Sequence, residues 1–250
     1  VPDSDDQPTF TLAYVPGVTP DKWVRKWTER VPRVPLTLLQ VTPADAADTV
    51  RRRDADAVLL RLPTDRDGLH AIPLYTETTV VMVPKDHYVA AADEVSLDDV
   101  TDEITLHPQD DTLDWERPPG RPAIERPATT KAAVELVAAG IGVLIVPQSL
   151  ARLYHRRDLV YRPVTDAPQS RVALSWLEDE TTELMEEFIG IVRGRTVNST
   201  RGRQQQPAAK DKRTTTKAKA AKQPKPTSSR RTPRSGGPKR GSRKNPRRRR

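Results

Sequence analysis

Cysteine is absent from all 250 residues, which excludes disulfide, thiolate and zinc-thiolate chemistry and leaves no marker of redox compartment. No apolar run approaches the roughly 18 residues of a membrane span. The opening VPDSDDQP is acidic rather than basic-then-apolar, so no membrane contact is expected and a cytoplasmic protein is. Catalytic signatures are missing as well. No GxSxG, Walker, GxGxxG or HExxH pattern occurs, and the Gly-x-Gly of Gly140 and Gly142 follows a helical pattern instead of opening one. The four histidines, His70, His87, His107 and His155, have no ligand spacing and read as structural or exposed. Carboxylate pairs such as Asp98-Asp99 and Asp110-Asp111 fall at a helix start or in a loop, where solvated acids are normal. These absences predict a protein that is not an enzyme and holds no cofactor and no metal.

What is present divides by charge. Residues 201–250 hold 20 of the 42 Lys and Arg and one of the 34 acids, a net +19 against −11 for residues 1–200. The last fifth has no aromatic residue and no apolar side chain larger than alanine, so it cannot bury enough surface to offset its ordering entropy. It reads as a disordered Lys/Arg-rich tail over 196–250, and residues 1–8 as a short disordered N-terminus.

Between them the pattern is α/β. KAAVELVAAGIGVLIVPQSLARL, Lys131 to Leu153, gives a helix that stops at Gly140, an apolar strand from Ile141 to Val146 and a second helix opened by Pro147. Upstream, Thr9–Val15 is a strand, and Pro16 to Pro20 is a loop with Thr19 as N-cap and Pro20 at the first helical position. A helix follows from Asp21 to Val31, with Trp23, Val24 and Trp27 on one face, as core or subunit interface. A strand over Leu36–Val41, a helix over Pro43–Arg53 and a strand over Ala57–Leu62 complete a βαβαβ order that demands a parallel sheet. Strands at Thr78–Val83, Ile104–Leu106 and Arg171–Leu177 and a helix at Thr181–Arg195 follow. DDTLDWERPPGRP, with its central Trp115, is either a lid or a divergent loop, and a divergent loop is favoured.

AAGIGVLIVPQSLARL, FTLAYVPGVTPDKWVRKWTERVPRVPLTLLQV and VPKDHYVAAADEVSLDDV, in order and spacing, resemble the effector-binding domain of LysR-type transcriptional regulators. The resemblance runs from Phe10 to Phe188, without the N-terminal winged helix-turn-helix, so a stand-alone domain over 9–195 is the expectation. It implies a periplasmic-binding-protein-like fold. Two Rossmann-like subdomains, I over 9–84 and 169–195 and II over 85–168, are joined by two crossover strands. A small-molecule effector would bind between them, in a homodimer that sets the Asp21 helix of one subunit against the Pro147 helix of the other. Helix N-termini favour anions, so Gly17, Val18 and Thr19, and Thr129 and Thr130, are candidate effector contacts. Arg61 at a strand's carboxyl end, and Thr105 and His107 at another strand's end, join them. Lys131 departs from the family's usual neutral polar residue.

The tail supplies a second partner. Lys217, Lys219, Lys222, Lys225, Arg230, Arg231, Lys239, Arg240, Arg243, Lys244, Arg247, Arg248, Arg249 and Arg250 are candidate contacts to DNA. Such contacts work by counterion release, with a log-log salt slope of about −0.9 per phosphate. With no aromatic residue for stacking, no single-strand preference is expected. The reading is a transcription-related regulator that senses a small molecule and holds DNA nonspecifically, with nucleoid association. Its alternatives are a small-molecule enzyme using the same cleft, or an RNA- or ribosome-binding protein acting through the tail. The opposed charges also suggest a tail folded back on its own acidic domain.

Overall fold

The computed structural model describes residues 8–195. Its elements run β1 (Phe10–Tyr14), α1 (Asp21–Arg30), β2 (Leu36–Gln40), α2 (Ala46–Arg51), β3 (Ala57–Leu62), β4 (Leu69–Glu77) and β5 (Thr79–Pro84). After two short 3-10 turns come β6 (Ile104–Leu106), β7 (Arg121–Pro122), α3 (Thr130–Ala138), β8 (Val143–Pro147), α4 (Gln148–Leu153), β9 (Leu159–Pro163), β10 (Ser170–Leu177) and α5 (Glu183–Val192).

Two five-stranded sheets result, β2-β1-β3-β10-β4 and β7-β6-β8-β5-β9. In the first, β1 lies parallel to β2 and β3, as the βαβαβ order requires, and β10 runs antiparallel to β3 and β4. In the second, β8 is parallel to β6 and antiparallel to β5. β3 and β8 are buried along their whole length, which explains their continuous apolar runs. The chain passes between the sheets twice, at Thr78 and over 164–169, and Thr79 Oγ1 ties the two crossings together by donating to the Pro168 carbonyl at 2.5 Å. The fold is the α/β, periplasmic-binding-protein-like one.

The first sheet carries one core and the second sheet one on each of its faces. In the first, Phe10, Trp27 and Phe188 are fully buried and stack in a triangle, with centroids 4.7, 5.1 and 5.9 Å apart. Such ring pairs add roughly 0.5–1.5 kcal/mol each beyond their area. Trp27 Nε1 donates to the Val34 carbonyl at 2.8 Å, so the indole is satisfied as well as packed. In the second, Gly140 takes φ +73° at the end of α3, and the amides of Gly140 and Ile141 return to the carbonyls of Val137 and Leu136.

Some details depart from the sequence reading. Thr79–Pro84 pairs in the second sheet, so the first crossing falls at Thr78 and not at residue 84. α1 begins at Asp21 with Pro20, not Thr19, in the cap position; Pro20 has helical dihedrals and its carbonyl accepts from Trp23 and Val24. α2 is shorter than Pro43–Arg53, which leaves Pro43 and Ala44 in a loop. The Asp-Pro-rich stretch is held down at Trp115, which packs on the second sheet's core on the face away from α3 and donates from Nε1 to Asp111 at 3.0 Å.

Candidate functional site

β3 is buried at every position, including its one charge. The Arg61 side chain is 3% exposed, and its Nε donates to Glu77 Oε2 at 2.8 Å. Its Nη1 donates to the Pro16 carbonyl at 2.8 Å and its Nη2 to Ser149 Oγ at 3.0 Å. Glu77, also buried, takes a further hydrogen bond from Ser170 Oγ at 3.2 Å. One guanidinium therefore ties the β1–α1 loop, the end of β4 at the first crossing and the first turn of α4. An isolated buried charge would be prohibitive, so the pair and its hydrogen bonds are what allow it there.

Two cavities flank this pair. The larger, about 780 Å³, is lined by Gly17 to Trp23, by Leu38 and Gln40 of β2, by Tyr75 to Thr78 and by Gln148, Ser149, Arg152 and Leu153. Leu38, Tyr75 and Leu153 in its lining are each more than one-third exposed. Lys22 Nζ sits 4.2 Å from the Trp23 ring centroid, and burial pushes the Tyr75 hydroxyl up to about 12, so it remains a donor.

The smaller, about 380 Å³, is lined by Thr42, Pro43 and Ala44 after β2, Arg61, Pro63 and Thr64 from the end of β3 and beyond, and Gln109 to Thr112 and Ala128 from the second subdomain. It thus lies outside the carboxyl ends of strands from both sheets, the usual place for ligands in open α/β sheets. Thr112 Oγ1 in its lining is buried without a hydrogen-bond partner. The Asp111 side chain is almost fully buried; it accepts from Leu113 N and Trp115 Nε1, and His107 Nε2 lies 3.0 Å from its Oδ2. Burial raises its pKa above the ordinary carboxylate range, against the lowering effect of those donors.

The predicted contacts divide between these places. Gly17, Val18 and Thr19 line the larger cavity and Arg61 the smaller. Gly17 has φ +84°, and a Cβ there would stand 2.9 Å from Arg61 Nη2, so only glycine lets the loop close on the guanidinium. Thr129 and Thr130 line neither cavity. Thr129 caps α3 by accepting from Ala132 N, and Thr130 N and Oγ1 both donate to Asp110 Oδ1, at 2.6 and 2.9 Å. The end of α3 already carries an anion, the chain's own Asp110. Thr105 is buried with its hydroxyl turned toward Gly120 and away from both cavities, and His107 pairs with Asp111 behind the smaller one. Asp110 and Asp111, read from sequence as solvated loop acids, are instead cavity-lining. Burial of Asp111 followed from the fold of the loop around Trp115, which no local pattern announced. Among the described residues no group of three or more His, Asp or Glu is placed to hold a metal ion. No described helix is long and apolar enough to cross a membrane. The nucleic-acid candidates from Lys217 to Arg250 lie outside the described residues.

Two mixed sheets, two crossings and cavities built from both sides define a two-lobed ligand-binding domain of the periplasmic-binding-protein-like class. The family model described as LysR substrate binding domain matches residues 5–196, and the chain belongs to that family. It is 25% identical over 179 residues to the HTH-type transcriptional regulator AlsR of Bacillus subtilis, a match covering 67% of this chain and 59% of that protein. It is 28% identical over 156 residues to a probable hydrogen peroxide-inducible genes activator of Mycobacterium leprae, covering 56% of this chain and 49% of that one. The matches thus span about half to three fifths of these relatives' own length. Among solved structures, the BenM effector binding domain with its effector benzoate superposes with a TM-score of 0.62 at 18% identity, covering 75% of this chain and 91% of that one. The oxidized form of OxyR gives 0.63 at 20% identity, covering 76% and 96%. These likenesses are of fold.

Proposed function

We propose that this domain is the sensing part of a transcription regulator rather than an enzyme, and that the smaller cavity is where its effector binds. The observation that carries this is the composition of that cavity. Both subdomains contribute to it at the carboxyl ends of their strands, with hydroxyl side chains from both lobes and amide and carboxylate side chains from the second in its lining. A ligand there would contact both lobes at once and so bias their relative position through the Arg61 crossing. Sensing by thiol oxidation is excluded within these 250 residues, which have no cysteine, whatever the relatives named for peroxide respond to. Thermal-shift screening of small metabolites against the wild-type chain and Ala128→Trp tests the reading. Stabilisation that disappears when the tryptophan fills the mouth is expected; ligands that stabilise both equally would place the site elsewhere.

The exposed leucines around the larger cavity support a homodimer built from α1, β2 and α4, in which that face is covered by a second copy. A monomeric mass in light scattering at micromolar concentration would overturn it. The +19 of residues 201–250 supports nonspecific binding of DNA through that segment. Fluorescence anisotropy of a labelled duplex over a salt series should show steep salt-dependent binding by the full chain and none by residues 1–200. Equal binding by both would refute it, and preference for structured RNA would move the assignment to RNA.

A further inference from the structure

The two lobes are joined by the chain itself at the crossings, Thr78 and residues 164–169, where Thr79 Oγ1 donates to the Pro168 carbonyl. Away from those crossings, one side-chain hydrogen bond among the described residues reaches from lobe to lobe. Arg61 Nη2, at the end of β3, donates to Ser149 Oγ in the first turn of α4 at 3.0 Å. The loop before α1 is fitted to that contact, since a Cβ on Gly17 would stand 2.8 Å from Ser149 Oγ and 3.1 Å from Leu150 Cδ2. Across the smaller cavity, by contrast, no hydrogen bond joins Thr42 and Thr64 of one lobe to Gln109 and Ala128 of the other.

We propose that the Arg61–Ser149 hydrogen bond is a latch that holds the lobes together, and that its release opens the smaller cavity. The consequence for the effector, though not the latch, rests on the assignment of that cavity as the effector site. The chemistry suits reversible release. On opening, the guanidinium keeps two partners within its own lobe, Glu77 Oε2 at Nε and the Pro16 carbonyl at Nη1, so no charge is left unpaired. Ser149 borders a cavity of about 780 Å³, where water can take over its hydroxyl. What opening gives up is one charge-assisted hydrogen bond, which weights the closed form about tenfold and leaves the open form within thermal reach. Arg61 also lines the smaller cavity, so the side chain that holds the latch is in reach of whatever occupies that space.

Because the chain has no cysteine, two introduced ones can be labelled without competition. Glu186→Cys on α5 and Lys131→Cys on α3, both exposed and one on each lobe, carry spin labels. Pulsed electron resonance on the full chain, diluted with unlabelled chain, then reads the distance within one molecule. A single dominant distance is expected with Ser149 in place. In Ser149→Ala the share of a second, shifted distance is expected to rise about tenfold relative to the first, at a melting temperature close to that of the parent. Arg61→Lys, which keeps a charge for Glu77 and gives up the fork, is expected to shift it in the same direction. Ser170→Ala removes a hydrogen bond of the same ion pair inside one lobe and is expected to leave the distances unchanged. An unchanged distribution in Ser149→Ala overturns the latch, and so does an equal shift in Ser170→Ala, which would mark a general loosening. No ligand enters this measurement, so the latch stands or fails separately from the effector site, which Ala128→Trp tests.

Discussion

Replacing Arg61 with methionine removes the charge at the first crossing while keeping most of the apolar stem. The Arg61 and Glu77 side chains are 3% and 6% exposed and 2.8 Å apart, so the substitution leaves Glu77 buried with Ser170 Oγ as its remaining partner. Breaking a buried pair from one side costs about 3–5 kcal/mol, because the surviving charge is uncompensated. The carbonyl of Pro16 and the hydroxyl of Ser149 also lose a donor, but Ser149 borders a cavity that admits water, so we expect a total near 4 kcal/mol. In a domain of this size that corresponds to a fall in Tm of roughly 8–16 °C. The double replacement Arg61→Met with Glu77→Leu leaves no unpaired charge and should recover about 2 kcal/mol or more relative to the sum of the single changes. Urea unfolding followed by far-UV circular dichroism on the four proteins of the cycle measures both quantities. A cost below about 1 kcal/mol for Arg61→Met, or strict additivity, would show that the guanidinium is solvated in solution and that the crossing is held by something else.

Asp111 binds its proton more readily folded than unfolded, because burial raises its pKa; its contribution to stability is therefore full below the ordinary carboxylate range and is lost as pH rises through the raised value. Asp111→Asn should gain on the wild type, in urea midpoint, as pH rises from the ordinary carboxylate range through the raised value, and a pH-independent difference would show that Asp111 is solvated. Gly142 lies where β8 approaches β6, and an added Cβ would fall on the Ile104 carbonyl oxygen. Gly142→Ala should destabilise by about 2 kcal/mol or more through forced separation of the strands, and a wild-type melting temperature would show that the sheet yields there without cost.

Gly142 also shows what kind of information the sequence carried. β1, β3, β8 and the helices around them were legible because their burial is continuous or one-sided, which writes an apolar run or a helical stripe directly into the chain. β4 was not, although it is the longest strand. It lies at the sheet edge with alternating partial exposure, and its Pro73 faces a register irregularity at Val172 and Ala173 of β10. Proline is tolerated at such a position and hides the strand from any local reading. β9 is likewise an edge strand, five residues long and mostly half-buried.

The sequence by itself determined the class of fold, the family and the approximate course of the buried strands, because each of these is set by local periodicity and turn chemistry. It also settled that thiol chemistry has no part in this segment. Only the tertiary structure decided which of the strand ends meet. Gly17 lies in the loop before α1 and Thr130 opens α3, yet one borders a cavity of its own while the other is occupied by an aspartate twenty positions upstream. Arg61 could be placed at a strand end from its position, but its neutralisation by Glu77, sixteen residues away, depends on how β4 turns into the crossing. Charge balance in a cavity is a sum over groups brought together from distant segments, and no window of sequence contains that sum.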